Sequence, residues 1–135
     1  MDFRIISIGT LPVHPLWKEQ GALRTGHATT TVIKSEKNVL LVDPSLPAQV
    51  IDARLHERWG IRIDDVTHVF LTSFDFDRRR TLDGLPDATW LMHEPEIENW
   101  RSILQDELLR AEGDPELEQL LEQHILLLDS FTSPK

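Results

Sequence analysis

The residues of this chain that could do chemistry gather in two short stretches. One is Thr67-His68-Val69-Phe70-Leu71-Thr72-Ser73-Phe74-Asp75-Phe76-Asp77-Arg78, and the other is Val42-Asp43-Pro44-Ser45. Asp75 and Asp77 stand two apart at the C-terminal end of an expected strand, and Asp43 ends the strand expected beside it. Three carboxylates meeting there would suit a hard, oxygen-seeking cation such as Mg²⁺ or Ca²⁺. The same residues also have a local use, and it is the one expected here. Asp43 caps a turn, while Asp77 pairs with Arg78, Arg79 or Arg80, whose charge already neutralises the site. The six histidines, His14, His27, His56, His68, His93 and His124, contain no H-x-H or H-x-x-x-H pair of the kind that grips a metal. The chain has no cysteine, which excludes disulfides, thiolate zinc sites and thiol nucleophiles together. It also has no G-x-S-x-G elbow, no G-x-G-x-x-G turn and no phosphate loop, so the reactions built on those motifs are set aside.

The elements that must position these residues follow from pattern. Phe3 to Ile8, Thr29 to Lys34, Val39 to Val42, Val66 to Thr72 and Thr89 to Met92 read as strands. They are rich in β-branched and other apolar residues and bounded by Gly, Pro or polar turns such as Ser35-Glu36-Lys37-Asn38. Pro47 marks a helix entry, because its missing N–H costs nothing in a first turn. From there Val50, Ile51, Leu55 and Trp59 recur at helical spacing up to Gly60, a good helix stop. Ile61 to Asp65 is a linker, so Val39 to Thr72 makes a strand–helix–strand unit and a parallel pair. A short helix is expected near Arg79 to Gly84. Glu96 to His124 is helical, split at Gly113-Asp114-Pro115 with Asp114 as N-cap; Ile125 to Leu128 is a last strand or the helix end, and residues 129–135 a tail. The run Val39–Val42 is apolar without interruption and Val66–Thr72 is again largely apolar, which calls for cover on both faces of the sheet.

These segments and motifs resemble the metallo-β-lactamase superfamily, from about Phe3 to about Trp100. In that family a buried strand ends in T-H-x-H-x-D-H, an earlier strand ends in a D-P-G turn, and an "fP-x-A" step follows; Leu85-Pro86-Asp87-Ala88 is similar to that step. The resemblance implies an αββα sandwich, of which a single domain of this length holds about one half. It also implies a site, and here the frame and the ligands part. Ser73, Asp75 and Arg78 stand where the family's histidines would be, and Asp77 alone keeps the family's residue type. A guanidinium cannot ligate a cation and repels one beside it. The family's later ligands, from a P-G-H-T segment onward, have no counterpart here. The loop bearing His27 tends in relatives to approach the metal pocket, so His27 and His14 complete the candidate residual pocket of Ser73, Asp75, Asp77, Arg78 and Asp43.

A chain of 135 residues fits one domain, and its net charge of −9 argues against nucleic acid or an anionic membrane as main partner. No signal peptide and no membrane-length apolar run is visible, which points to the cytoplasm. The tryptophans Trp17, Trp59, Trp90 and Trp100 read as core or interface anchors, Trp17 being the exposed one, and the leucines from Leu117 to Leu128 suit either an interface helix or packing on the sheet. The expectation is a family member without metal or other cofactor that works through association. A C2 homodimer, in which each copy supplies one half of a sandwich, is the simplest closed solution, and a related chain is the other partner considered. Two alternatives stand beside it. One is a hydrolase of an ester, lactone, thioester or amide, using zinc or another divalent metal, should the chain be a fragment or build a carboxylate site; the other is a subunit that completes or regulates an active relative.

Overall fold

A computed structural model describes residues 1–9, 28–74 and 82–133. Five strands form one sheet in the order β1 (Asp2–Ser7), β2 (Thr30–Ser35), β3 (Asn38–Val42), β4 (His68–Leu71) and β5 (Thr89–Met92). β1, β2 and β3 pair antiparallel, while β3, β4 and β5 run parallel. Between β2 and β3 the chain reverses through Glu36, whose φ of 49° is the left-handed value a tight hairpin demands. α1 (Ala48–Trp59) supplies the crossover from β3 to β4. Pro47 is its N-cap residue, its carbonyl accepting from Val50 N and Ile51 N, and Gly60 closes it at φ 66° with its N–H donated to His56 O.

The strand–helix–strand reading holds, with its edges adjusted. The strand expected from Val66 begins at His68, because Val66 N is committed to Ile63 O of a 3₁₀ turn, Ile63–Asp65, that occupies the expected linker. The helix expected near Gly84 is a 3₁₀ turn at Leu82–Gly84, its earlier residues lying outside those described. α2 (Glu94–Arg110) starts before Glu96, and α3 (Pro115–Asp129) carries Ile125 to Leu128 as helix rather than strand. Leu121, Ile125 and Leu128 recur at helical spacing and pack on the core, which keeps the last turns wound. Asp114 caps α3 by accepting from Leu117 N. Beyond it Thr132 bridges to Leu91, with Met92 N donating to Thr132 O and Thr132 N to Trp90 O, both at 3.0 Å, so the segment read as a tail touches the β5 edge.

The sheet has two unlike faces. Strand alternation puts Val32, Val39, Leu41, Val69, Leu71 and Met92 on one of them, all buried and sharing one core with Ile51 and Leu55 of α1, Ile97 and Leu104 of α2, and Leu128 of α3. Register puts Phe3, Ile5, Ile33, Leu40, Val42, Phe70 and Leu91 on the other. There Phe3 is 65% and Ile5 51% exposed, and the rest are half-buried. The expected cover on both faces is therefore met on one only among the described residues. Val50, expected on the apolar side of α1, is also exposed, at 38%.

Candidate functional site

The turn that follows β3 is built around a buried carboxylate. Asp43 is 7% exposed and holds φ 51°, a conformation its short polar side chain tolerates better than most. Its N–H donates to Phe70 O at 3.0 Å, extending the parallel ladder to β4. Both of its carboxylate oxygens then accept from one residue: Oδ1 from Thr72 N at 2.8 Å and Oδ2 from Thr72 Oγ1 at 2.7 Å. Charge-assisted bonds of this length are the strong kind, and here they clamp the end of β4 to the end of β3.

The neighbouring residues finish a knot of polar contacts at one edge of the sheet. Thr30 Oγ1 donates to Asp43 O at 2.7 Å, and Ser45 Oγ donates to Ala28 O at 2.6 Å. Thr30 and Ser45 are fully buried, so each hydroxyl answers a carbonyl that would otherwise be stranded. At the opposite end of the same two strands, Thr67 N donates to Val39 O at 2.9 Å, while Thr67 Oγ1 accepts from Val39 N at 2.9 Å and lies 2.8 Å from His68 Nδ1. The two threonines thus staple β3 to β4 at both ends, and His68 is held in that staple as a half-buried strand residue.

Ser73 is half-buried directly after the clamp, and Phe74 behind it is 1% exposed. The Phe74 ring meets Trp100 edge-on at 5.7 Å between centroids and Phe131 at 5.9 Å, and Phe131 in turn lies 5.5 Å from Trp90. This aromatic cluster ties the strand end to α2 and to the segment after α3. Trp90 and Trp100 are core anchors as expected, with Nε1 donating to Leu85 O and Glu96 Oε1 respectively. Trp59 also packs against the core and in addition lies under two cations, Arg4 at 4.9 Å and Lys34 at 5.8 Å.

Of the candidate pocket, the described residues place Asp43 and Ser73 at the same sheet edge; Asp75, Asp77, Arg78, His27 and His14, together with Trp17, lie outside them. Of the partners that define this edge, Ser45 and Thr72 fall within the two motif stretches but received no role of their own from sequence, and Thr30 was read only as a strand residue. Their signal is faint: hydroxyl residues at strand ends flanking a buried Asp. Among the described residues no three His, Asp or Glu side chains come together as a metal centre would require. Asp43 meets Thr72 through both carboxylate oxygens and Ser73 is a poor donor to zinc, while the other positions of the dinuclear frame lie outside the described residues.

Comparison with known proteins bears on that frame. The family model for the metallo-β-lactamase superfamily matches residues 23–132. The chain belongs to this superfamily. Among solved structures, a provisionally named metallo-β-lactamase of Thermotoga maritima matches at 19% identity and TM-score 0.64, over 99% of this chain and 58% of that one. AidC, described as a dizinc quorum-quenching lactonase in complex with a product, N-hexanoyl-L-homoserine, matches at 16% identity and TM-score 0.53, over 79% of this chain and 42% of that one. No curated protein sequence matches. At such identities the structures speak to fold alone. This superfamily member spans 58% of the length of the first of them, and its described residues make one sheet with helices on one side. The metallo-β-lactamase frame in Asp43-Pro44-Ser45 and Thr67 to Phe74 is therefore real, and in this chain its described residues work as a structural clamp.

Proposed function

We propose that this chain is a non-catalytic metallo-β-lactamase-fold protein that works by association, and that its partner is a second copy of itself. The observation that carries the reading is the sheet face opposite the helices. Phe3, Ile5, Ile33, Leu40, Val42, Phe70 and Leu91 form a continuous apolar surface on it, and the remaining strand residues of that face are Thr, Ser, Asn or His. Among the described strand residues this face carries no Asp, Glu, Lys or Arg, in a chain with net charge −9. Two copies can bring such faces together without stacking like charge on like charge, which the acidic remainder of the surface would not allow. Sheets pack face to face at about 10 Å by interleaving apolar side chains, so a second identical sheet is a fitting cover. A two-fold pairing presents the same patch twice and closes on itself, leaving nothing to propagate.

Light scattering coupled to size exclusion tests this. The expected result is twice the 15.6 kDa of one chain, reverting to a single chain on Phe3→Glu with Ile33→Glu while the circular dichroism stays folded. A monomeric wild-type protein overturns the association. Retention of the dimer by that variant overturns the face. The non-catalytic half of the reading has its own check, metal content by plasma mass spectrometry on protein purified without a metal-affinity tag. We expect zinc, iron and manganese far below one per chain; one equivalent or more, with hydrolysis that Asp77→Ala abolishes, would make the chain a metal-dependent hydrolase instead. Mixed oligomers with a longer active relative, preferred over self-pairing, would favour the subunit reading.

A further inference from the structure

A second surface, which shares only Ile5 with the open sheet face, lies where β1 runs beside α1. A groove of about 540 Å³ opens there, between Ile6 and Ile8 on the strand side and Leu46, Val50, Arg54 and Arg58 on the helix side. That volume is in the range of small-molecule sites. Val50, Arg54 and Arg58 follow one another at four-residue spacing, so one stripe of α1 lines the groove. The stripe changes character along its length. β1 starts near the C-terminal end of α1, where the Arg4 guanidinium donates to Arg58 O and covers the Trp59 ring, and it runs back toward the N-terminal end of the helix. Ile8, Leu46 and Val50 therefore gather at one end of the groove and Arg54 and Arg58 at the other.

The two ends differ in chemistry. Ile8 and Val50 are 78% and 38% exposed, apolar surface left open to water. Among the described residues, no ion pair engages the guanidinium of Arg54 or Arg58, although the chain has 23 acidic against 14 basic side chains. Arg58 lies in the last turn of α1, where a cation complements the helix dipole; Arg54 lies a turn earlier, where that explanation lapses. An apolar trough ending in two unpaired guanidiniums has the form of a receptor for a molecule with a tail and an anionic head. We propose that this groove binds an anionic amphiphile, the acyl chain lying along Ile8, Leu46 and Val50 and the carboxylate or phosphate received by Arg54 and Arg58. Arginine suits that head because its planar donors meet two oxygens at once.

The head could belong to a free acyl acid or to an anionic lipid in a bilayer, and the experiment separates the two. Decanoate is titrated calorimetrically into the full chain below its micelle concentration, with decanol as the headless control. In parallel, the protein is floated with phosphatidylglycerol vesicles and with phosphatidylcholine vesicles. We expect saturable decanoate binding at one per chain, at least tenfold tighter than decanol. The Arg54→Gln, Arg58→Gln double variant should weaken it at least tenfold, and so should Val50→Asp; all sit on the solvent side of α1, where the fold is expected to survive. Flotation with phosphatidylglycerol but not phosphatidylcholine, lost in the arginine variant, would assign the head to a membrane lipid and equally support the site. Absence of binding in both arms, or binding that the arginine substitution leaves unchanged, overturns the proposal.

Discussion

At the scale of the residue, Asp43 shows how one side chain can keep its place in a catalytic frame while serving the fold. Its carboxylate meets Thr72 through both oxygens, and its backbone sits at φ 51°. Asp43→Ala removes both bonds and leaves a left-handed alanine, which should cost about 2–4 kcal/mol in denaturant unfolding. Thr72→Val removes one bond and should cost about 1 kcal/mol. Made together, the two should cost less than their sum, because the second loss removes a partner already gone. Equal, additive losses would mean the clamp is not a shared unit. Sequence brought Asp43 forward and even offered turn-capping as its use; it could not name Thr72, since nothing in a strand end says which neighbouring strand will receive it. Ser73 stands beside the clamp, at the position the resemblance gives to the first histidine, whereas its neighbour Phe74 carries no sequence signal of its own role. Phe74 is nonetheless the residue that drives that segment inward, and Phe74→Ala should cost roughly 3–5 kcal/mol.

At the scale of the element, most of the pattern was legible because period and punctuation are local. The β-branched run before Ser35, the Pro47 and Gly60 brackets of α1, and Asp114 ahead of Pro115 each announced an element that is present. Asp114→Ala should accordingly cost α3 about 1 kcal/mol. What escaped depends on contact between distant segments. Val66 leaves its strand because a 3₁₀ turn claims its N–H, and Ile125 to Leu128 stay helical because the core receives them. Gly84 is another such case. A Cβ added there would lie 2.5 Å from Ala48 Cβ, so the turn before β5 presses directly on the first residue of α1. Gly84→Ala should cost about 1–3 kcal/mol, with a good part recovered when Ala48→Gly is added; no recovery would show that the strain lies in the turn itself.

At the scale of the whole molecule, the two faces of the sheet divide the behaviour. The uninterrupted apolar strands announced two covered faces, and the described residues cover one. The proposed pairing through the open face would be driven by apolar burial, so added salt should leave such a dimer intact, whereas decanoate held by Arg54 and Arg58 should be released. Light scattering and calorimetry on the same sample in low and high salt would separate these responses. The helical side provides a control, since Leu117, Leu120 and Leu126 of α3 are also exposed, at 41%, 49% and 68%. Leu120→Glu should leave the mass unchanged; conversion to monomer would move the interface to the helices. Among the described residues no helix is long and apolar enough to cross a membrane.

The bridge between Leu91 and Thr132 has one more consequence. Met92 N and Thr132 N are the amides of that bridge, and both are bonded across the same short contact. Neither can open without the other. Thr132 is held against β5 by a chain that must first pass through α2 and α3, so the aromatic cluster and this pair of amides form one cooperative opening unit. In native-state hydrogen exchange the two amides should therefore report the same free energy of opening, and Phe131→Ala should lower both by the same amount. The undocking of the entire helical half can then be timed from both sides of one contact, at Met92 on the strand and at Thr132 on the segment that leaves it.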